Sequence, residues 1–285
     1  MNCPGIRSRT GVTVSDAEPD TFGLSSKSND GTGTGTKAAR LNPPAYSDRA
    51  VGAESLNHWY NGLMLDDPFP LDVYTARKMQ DTLRKQVRLI PLQTGPTLVA
   101  GVDASFNNHE VIAVASLFSY PEMEHIRDAW QREPLVFPYL PGLLSFREGK
   151  AMTGAIRRLS KSPDIVLVDG QGIAHPKGIG IASHIGVVLR IPTIGCAKSR
   201  LIGEYEEPKP EKGSWSDLFY HGRRVGVVLR TRDDVRPLFV SPGHLIDFRS
   251  AVRIVMACLT AYRIPEPLRR ADAISKALRS QPRKS

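Results

Sequence analysis

Three acids stand where an acid has work to do. Asp169 ends the uninterrupted apolar run Ile165 to Val168 and is followed at once by Gly170 and Gly172. Asp103 closes a β-patterned stretch at 97–103, two residues beyond Gly101 and on the face shared with Val99. Glu148 lies three residues after Ser145, near the start of a helical pattern. Grouped carboxylates repel one another unless a cation neutralises them. An all-oxygen set suits Mg²⁺ or Mn²⁺ rather than Zn²⁺, and such a metal supports in-line displacement at a phosphoryl group by activating water and neutralising charge. Plainer readings stand beside this one: Asp169 as the cap of the next segment, and Glu148 as the capping-box partner of Ser145.

The elements that must carry these acids follow from periodicity. The run before Asp169 suits a strand covered on both faces, and open α/β sheets take their ligands beyond the carboxyl ends of such strands. Residues 97–103 and 111–118, joined by the turn-forming Asn107 and Asn108, form a hairpin, and 122–130 extends it to a meander. A helix over 179–189 and a buried strand over 193–197 follow Asp169, so the strand, helix, strand order implies a parallel crossover that ends near Lys198. Two more strands are expected at 224–230 and 237–241. A helix from about Gly243 then carries the stripe Leu245, Phe248, Val252, Val255 and Leu259. His244 falls in its first turn, where the helix dipole disfavours protonation. Upstream, Asp72 opens a helix with Val73, Ala76, Met79, Leu83 and Val87 on one side and five cations on the other.

Composition sets the frame. Residues 1–50 are rich in Gly, Ser, Thr and Asn without apolar periodicity and read as a disordered tail. Residues 51–71 read as a linker or arm, 72–265 as the folded domain and 266–285 as a basic C-terminal tail. That tail contributes to a net charge of +9 and holds, from Arg269 onward, six Lys or Arg against Asp272 alone. Such a balance favours a polyanionic partner. Three scattered cysteines make neither a disulfide framework nor a zinc cluster, which fits a cytoplasmic protein, and no stretch has the length of apolar sequence that a membrane span needs.

The segments 101–106 (GVDASF), 138–142 (PYLPG), 145–149 (SFREG), 168–176 (VDGQGIAHP), 196–199 (CAKS) and 241–244 (SPGH) occur in an order that resembles endonuclease V, the inosine-directed nuclease of the ribonuclease H-like superfamily. The resemblance covers roughly 72–262. It implies an α/β fold with a ribonuclease H-like mixed sheet flanked by helices, a single domain with a disordered N-terminal tail. It implies that Asp103, Glu148 and Asp169 surround Mg²⁺, for which Mn²⁺ can substitute, with His244 completing the site and Lys198 holding the phosphate. Tyr139, between Pro138 and Pro141, matches the family's wedge, which enters the duplex where the altered base leaves the stack. Gly142, Leu144, Gly170 and His175 match positions around the pocket for that base. The implied activity is hydrolysis on the 3′ side of inosine, one nucleotide removed, leaving 3′-hydroxyl and 5′-phosphate ends. The expected partner is inosine-containing nucleic acid, DNA before RNA, met by a monomer that has no membrane partner. An inosine-specific endoribonuclease and another ribonuclease H-like nuclease, such as a junction resolvase, are the alternatives.

Overall fold

The computed structural model describes residues 68–280. The expected disordered tail at 1–50, and all but the last residues of the expected arm at 51–71, lie outside them. Helix α1 (Val73–Arg84) starts where Asp72 accepts a hydrogen bond from the Thr75 N–H at 2.8 Å, the N-cap its sequence suggests.

Strands β1 (Leu98–Phe106), β2 (Glu110–Ser119) and β3 (His125–Pro134) form the expected meander. Then come α2 (Leu144–Arg157), β4 (Ile165–Val168), α3 (Ile181–Leu189) and β5 (Thr193–Ala197), with β1, β4 and β5 parallel. The chain continues through β6 (Trp215–Tyr220), β7 (Arg223–Leu229), β8 (Leu238–His244), α4 (Phe248–Ala257) and α5 (Glu266–Arg279). Among the described residues the eight strands make one sheet in the order β3-β2-β1-β4-β5-β8-β7-β6. This is the mixed α/β architecture that the ribonuclease H-like expectation calls for.

Strand alternation divides the core into two layers. Ala100, Val102, Val166 and Val168 face α2 and α3. Val99, Ile165, Leu167, Ile194 and Cys196 face the other way, toward α4 and Leu268 of α5. Every residue of α3 is buried, as expected of a helix that is apolar on all sides. Cys196 and Cys258 are buried free thiols that pack in the second layer.

Three elements differ from expectation. The stretch read as a basic tail contains α5, which lies on β1 with Leu268, Ala271, Ser275 and Leu278 buried. Its Arg270 grips the buried Asp128 of β3 through Nε and Nη2, at 2.6 to 3.1 Å, so its cations are in part structural. The helix expected from Gly243 begins at Phe248, because Asp247 caps it by accepting from the Ser250 N–H at 2.7 Å. Helix α2 starts at Leu144 with no side-chain cap, so Ser145 and Glu148 do not form a capping box. Among the described residues no helix is long and apolar enough to cross a membrane.

Candidate active site

The parity of the strands decides which side chains can meet. Asp103 follows Gly101 by two residues and Asp169 follows Leu167 by two, so both point into the layer that α5 covers. The parallel register sets Val102 against Val168, and the Asp169 N–H donates to the Val102 carbonyl at 3.1 Å. The two acids therefore lie at one level on neighbouring strands, Asp103 within β1 and Asp169 just past the end of β4. Lys198 follows Cys196 by two and joins them on the same face, where its ammonium contacts the Asp169 carboxylate and lies 3.8 Å from Asp272.

Helix α5 completes the group. A Cβ on Gly101 would lie 2.3 Å from the Pro267 carbonyl carbon, so the glycine is what lets the helix start against β1. The Ser105 hydroxyl donates to the Ser275 carbonyl at 2.8 Å one turn beyond Asp272. Thus Asp272 arrives over Asp103. One carboxylate oxygen from each of Asp103, Asp169 and Asp272 lies within 4.8 Å of the others. Sequence reasoning missed Asp272, counting it only against its cationic neighbours. The signal was the spacing of Leu268, Ala271, Ser275 and Leu278, which puts Asp272 on the edge of a buried helical face.

The electrostatics describe a cluster short of positive charge. Burial, then the charge of Asp169, with a hydrogen bond to Asp272 adding to both, pushes Asp103 up to about 8. Burial works the same way on Asp272, but hydrogen bonds with Lys276 and Asp103 prevail and hold it below the usual carboxylate range. Burial would lower Lys198, yet its hydrogen bond to Asp169 and the surrounding acids raise it. Glu148 comes from α2 in the opposite layer and reaches the end of the sheet from there. It is therefore not in the set within 4.8 Å, although it is buried. Burial, with Asp169 adding to it, pushes Glu148 up to about 7.

His244 does not join this group. Antiparallel pairing sets Ala197 against Phe239 and Thr193 against His244, so the histidine lies at the far end of β5 from Lys198, roughly 16 Å away at the rise of a strand. There its Nδ1 accepts from the Arg88 N–H at 3.3 Å.

Beside the acids is a cavity of about 130 Å³, open on one side. Of the residues matched to the base pocket, Gly142, Leu144 and His175 line it; Tyr139, matched to the wedge, lines it too, and so do Gln171, Ile181 and Leu201, which sequence reasoning did not single out. Gly170 does not line it; at φ 150° its hydrogen faces the Ile181 side chain. The Tyr139 ring is 67% exposed, so it stands at the lip and does not pack among Phe137 and Leu140. His175 is pushed down to about 4 by burial, which keeps its ring neutral, with Nδ1 accepting from the Lys177 N–H at 3.2 Å.

Comparison with known proteins gives this geometry a relationship. The family model for Endonuclease V matches residues 81–273, past the domain boundary expected at 265 and through Asp272. Endonuclease V of Geotalea uraniireducens is 50% identical over 208 residues, which is 73% of this chain and 89% of the relative. Among solved structures, Endonuclease V of Streptomyces avermitilis superposes with a TM-score of 0.71 at 37% identity, covering 74% of this chain and 94% of that one. Ciona intestinalis Endonuclease V, solved in complex with a 24mer DNA containing an inosine followed by a ribo-adenosine, gives 0.64 at 28% identity, with 72% and 97% covered. On family match and identity together, the chain belongs to the Endonuclease V family.

Proposed function

We propose that this protein is a metal-dependent endonuclease that recognises inosine in nucleic acid. It hydrolyses a phosphodiester on the 3′ side, one nucleotide removed, and leaves 3′-hydroxyl and 5′-phosphate ends in the repair of deaminated adenine. The observation that carries the reading is the juxtaposition of three carboxylates within 4.8 Å with a cavity whose lip bears the exposed Tyr139.

The donor set fits a hard cation. Three carboxylates this close, one of them raised to about 8, call for positive charge beyond the Lys198 ammonium, and oxygen donors alone favour Mg²⁺, with Mn²⁺ as a substitute. Asp103, Asp169 and Asp272 would hold it, with Glu148 behind them. When bound, the metal supplies neutralisation of charge on the scissile phosphate and activation of water. Lys198 holds a phosphate oxygen beside Asp169. Glu148, near neutrality, takes or gives a proton at its carboxyl oxygen. Tyr139 fills the space left by the extruded base, which costs a few kcal/mol to unstack, and Gly142, Leu144 and the neutral His175 border the base. His244 has no part in this scheme, and Asp272 takes its place.

Inosine-containing DNA in the Ciona relative supports DNA as substrate. The ribo-adenosine after the inosine in the same complex favours a second reading, in which a ribonucleotide on the 3′ side is preferred. The test is cleavage of matched DNA, RNA and single-ribonucleotide strands, each with inosine or adenosine, with and without Mg²⁺. No inosine preference in any backbone would sink the proposal.

A further inference from the structure

Residues 140–143 make a type II turn with Pro141 and Gly142 at its two central positions. The Leu143 N–H donates to the Leu140 carbonyl at 3.0 Å, and Gly142 has φ 81°, a value that glycine reaches without strain. This turn joins the Tyr139 lip to Leu144 and forms one wall of the cavity. A Pro-Gly turn can exchange between conformations by rotating a peptide plane, so something must select one. Two donors to the Gly142 carbonyl do so: the His175 ring, which lines the cavity, and Gln80 of α1. Its side chain is 3% exposed among the apolar residues with which α1 supports the loop, Ala76, Phe137, Leu143 and Phe146, and its Nε2 donates to the Gly142 carbonyl at 2.7 Å. A carbonyl only accepts, so the amide orientation is fixed chemically.

A buried glutamine in an apolar cluster costs free energy unless its partner is in place. The partner here belongs to the pocket and not to the sheet. We propose that Gln80 is a positioning residue for base selectivity: by pinning the Gly142 carbonyl it sets the turn that shapes the base cavity and aims Tyr139. This rests on the inosine reading above. Gln80 touches neither the acids nor the reacting phosphate, so it acts on which base is accepted and not on the chemical step.

The test uses the full chain and binding without divalent metal, so that no cleavage enters the readout. Fluorescence anisotropy on labelled single strands with inosine or adenosine gives the preference of the parent chain. Gln80→Met keeps length and helix propensity and removes the donor. It should lower the inosine-to-adenosine affinity ratio by about tenfold, the scale of one buried hydrogen bond. With Mg²⁺, its rate at saturating inosine substrate should stay within about twofold of the parent. Gln80→Glu adds a pH readout, because only the protonated carboxyl can donate. Its selectivity should be low at pH 8 and recover as pH falls toward 6, a response that a packing role would not give. An unchanged ratio in Gln80→Met, equal losses on both bases, or a pH-independent Gln80→Glu would overturn the role. A parent chain without preference for inosine would overturn the functional reading and this inference together.

Discussion

The acid cluster and the base cavity lie side by side and are built in opposite ways. The cluster rests on regular elements: Asp103 lies within β1, Asp169 and Lys198 directly follow β4 and β5, and Asp272 rides a helix seated on Gly101. The cavity rests largely on turns and loops, with a proline-stiffened segment at its lip and a glutamine amide holding one wall. Charge explains the difference. Several carboxylates forced together need neighbours that cannot yield, because each would otherwise relax away from the rest. A pocket that tells one base from another needs its wall held in one shape, and a proline-stiffened turn with a buried amide on its carbonyl provides that. Chemistry therefore sits on the sheet and selection on its braced rim, and variants of the two regions should fail in different ways.

The largest effect is expected from Asp169→Asn. Asparagine keeps the size of aspartate and loses the charge that holds a hard cation, so cleavage should fall by roughly a thousandfold or more, the several kcal/mol that such a metal supplies. Gel-shift affinity for an inosine strand should hardly change. A variant that still nicks at the parent rate would remove Asp169 from the metal site.

Asp272→Asn should come next. The Asp103 carboxyl would keep a hydrogen-bonding neighbour but lose the third oxygen anion, so the Mg²⁺ concentration for half-maximal cleavage should rise and the maximal rate should fall by roughly a hundredfold. Titration of Mn²⁺ binding by calorimetry reports the same loss without relying on turnover. If both are unchanged, α5 only packs against the sheet. Deleting 269–285 could not replace this variant, since it would remove most of α5 together with its charge and would leave Asp128 buried without Arg270, a loss that costs several kcal/mol.

Tyr139→Ala tests the rim. Affinity for an inosine-containing duplex should drop by about tenfold, the scale of one lost stacking contact, whereas a single strand, with no stack to hold open, should lose much less. Equal losses on both substrates would show that the ring is not a wedge.

Most of the frame was legible because burial on both faces leaves apolar runs, and β1, β4 and β5 announce themselves that way. The acids within β1 and just past β4 could be read for the same reason. What could not be read depends on contacts across long stretches of chain. Asp272 lies 169 positions from Asp103 in a cationic neighbourhood, and the apolar spacing around it marks a buried helical face without showing that this face starts against Gly101. Strand β6 at the sheet edge is only partly buried and sets Ser216 and Asp217 among its apolar residues, so no buried apolar run marks it. The segment 241–244 misled through its proline and glycine, which read as breakers before a helix. It is in fact the end of the fully buried β8, where Pro242 sits beside a register shift against β5, a place where a strand tolerates proline.

The smallest effect on chemistry is expected at His244, and it separates the two ends of the sheet most sharply. Its Nδ1 accepts from the Arg88 N–H, and the Leu245 N–H donates to the Arg88 carbonyl at 2.7 Å, so the ring fastens the segment after α1 to the end of β8. Burial, then the charge of Arg88, pushes it down to about 4. A histidine is near 6.5 when unfolded, so between these values the unfolded chain binds the extra proton. The stabilisation is complete above about pH 6.5 and is lost as pH falls through 4. His184, also near 4 through burial, and His175 add to the slope in the same direction. His244→Asn should lower stability by about 1 kcal/mol at pH 7 through the lost bond, and its stability should fall less steeply than the parent's between pH 6.5 and 4, as read by urea unfolding at several pH values. Its Mg²⁺-dependent rate should stay within about twofold of the parent, because the ring lies roughly 16 Å along a strand from Lys198. A collapse in rate with an unaltered stability profile would return His244 to the active site and end the division of labour drawn between the two ends of β5.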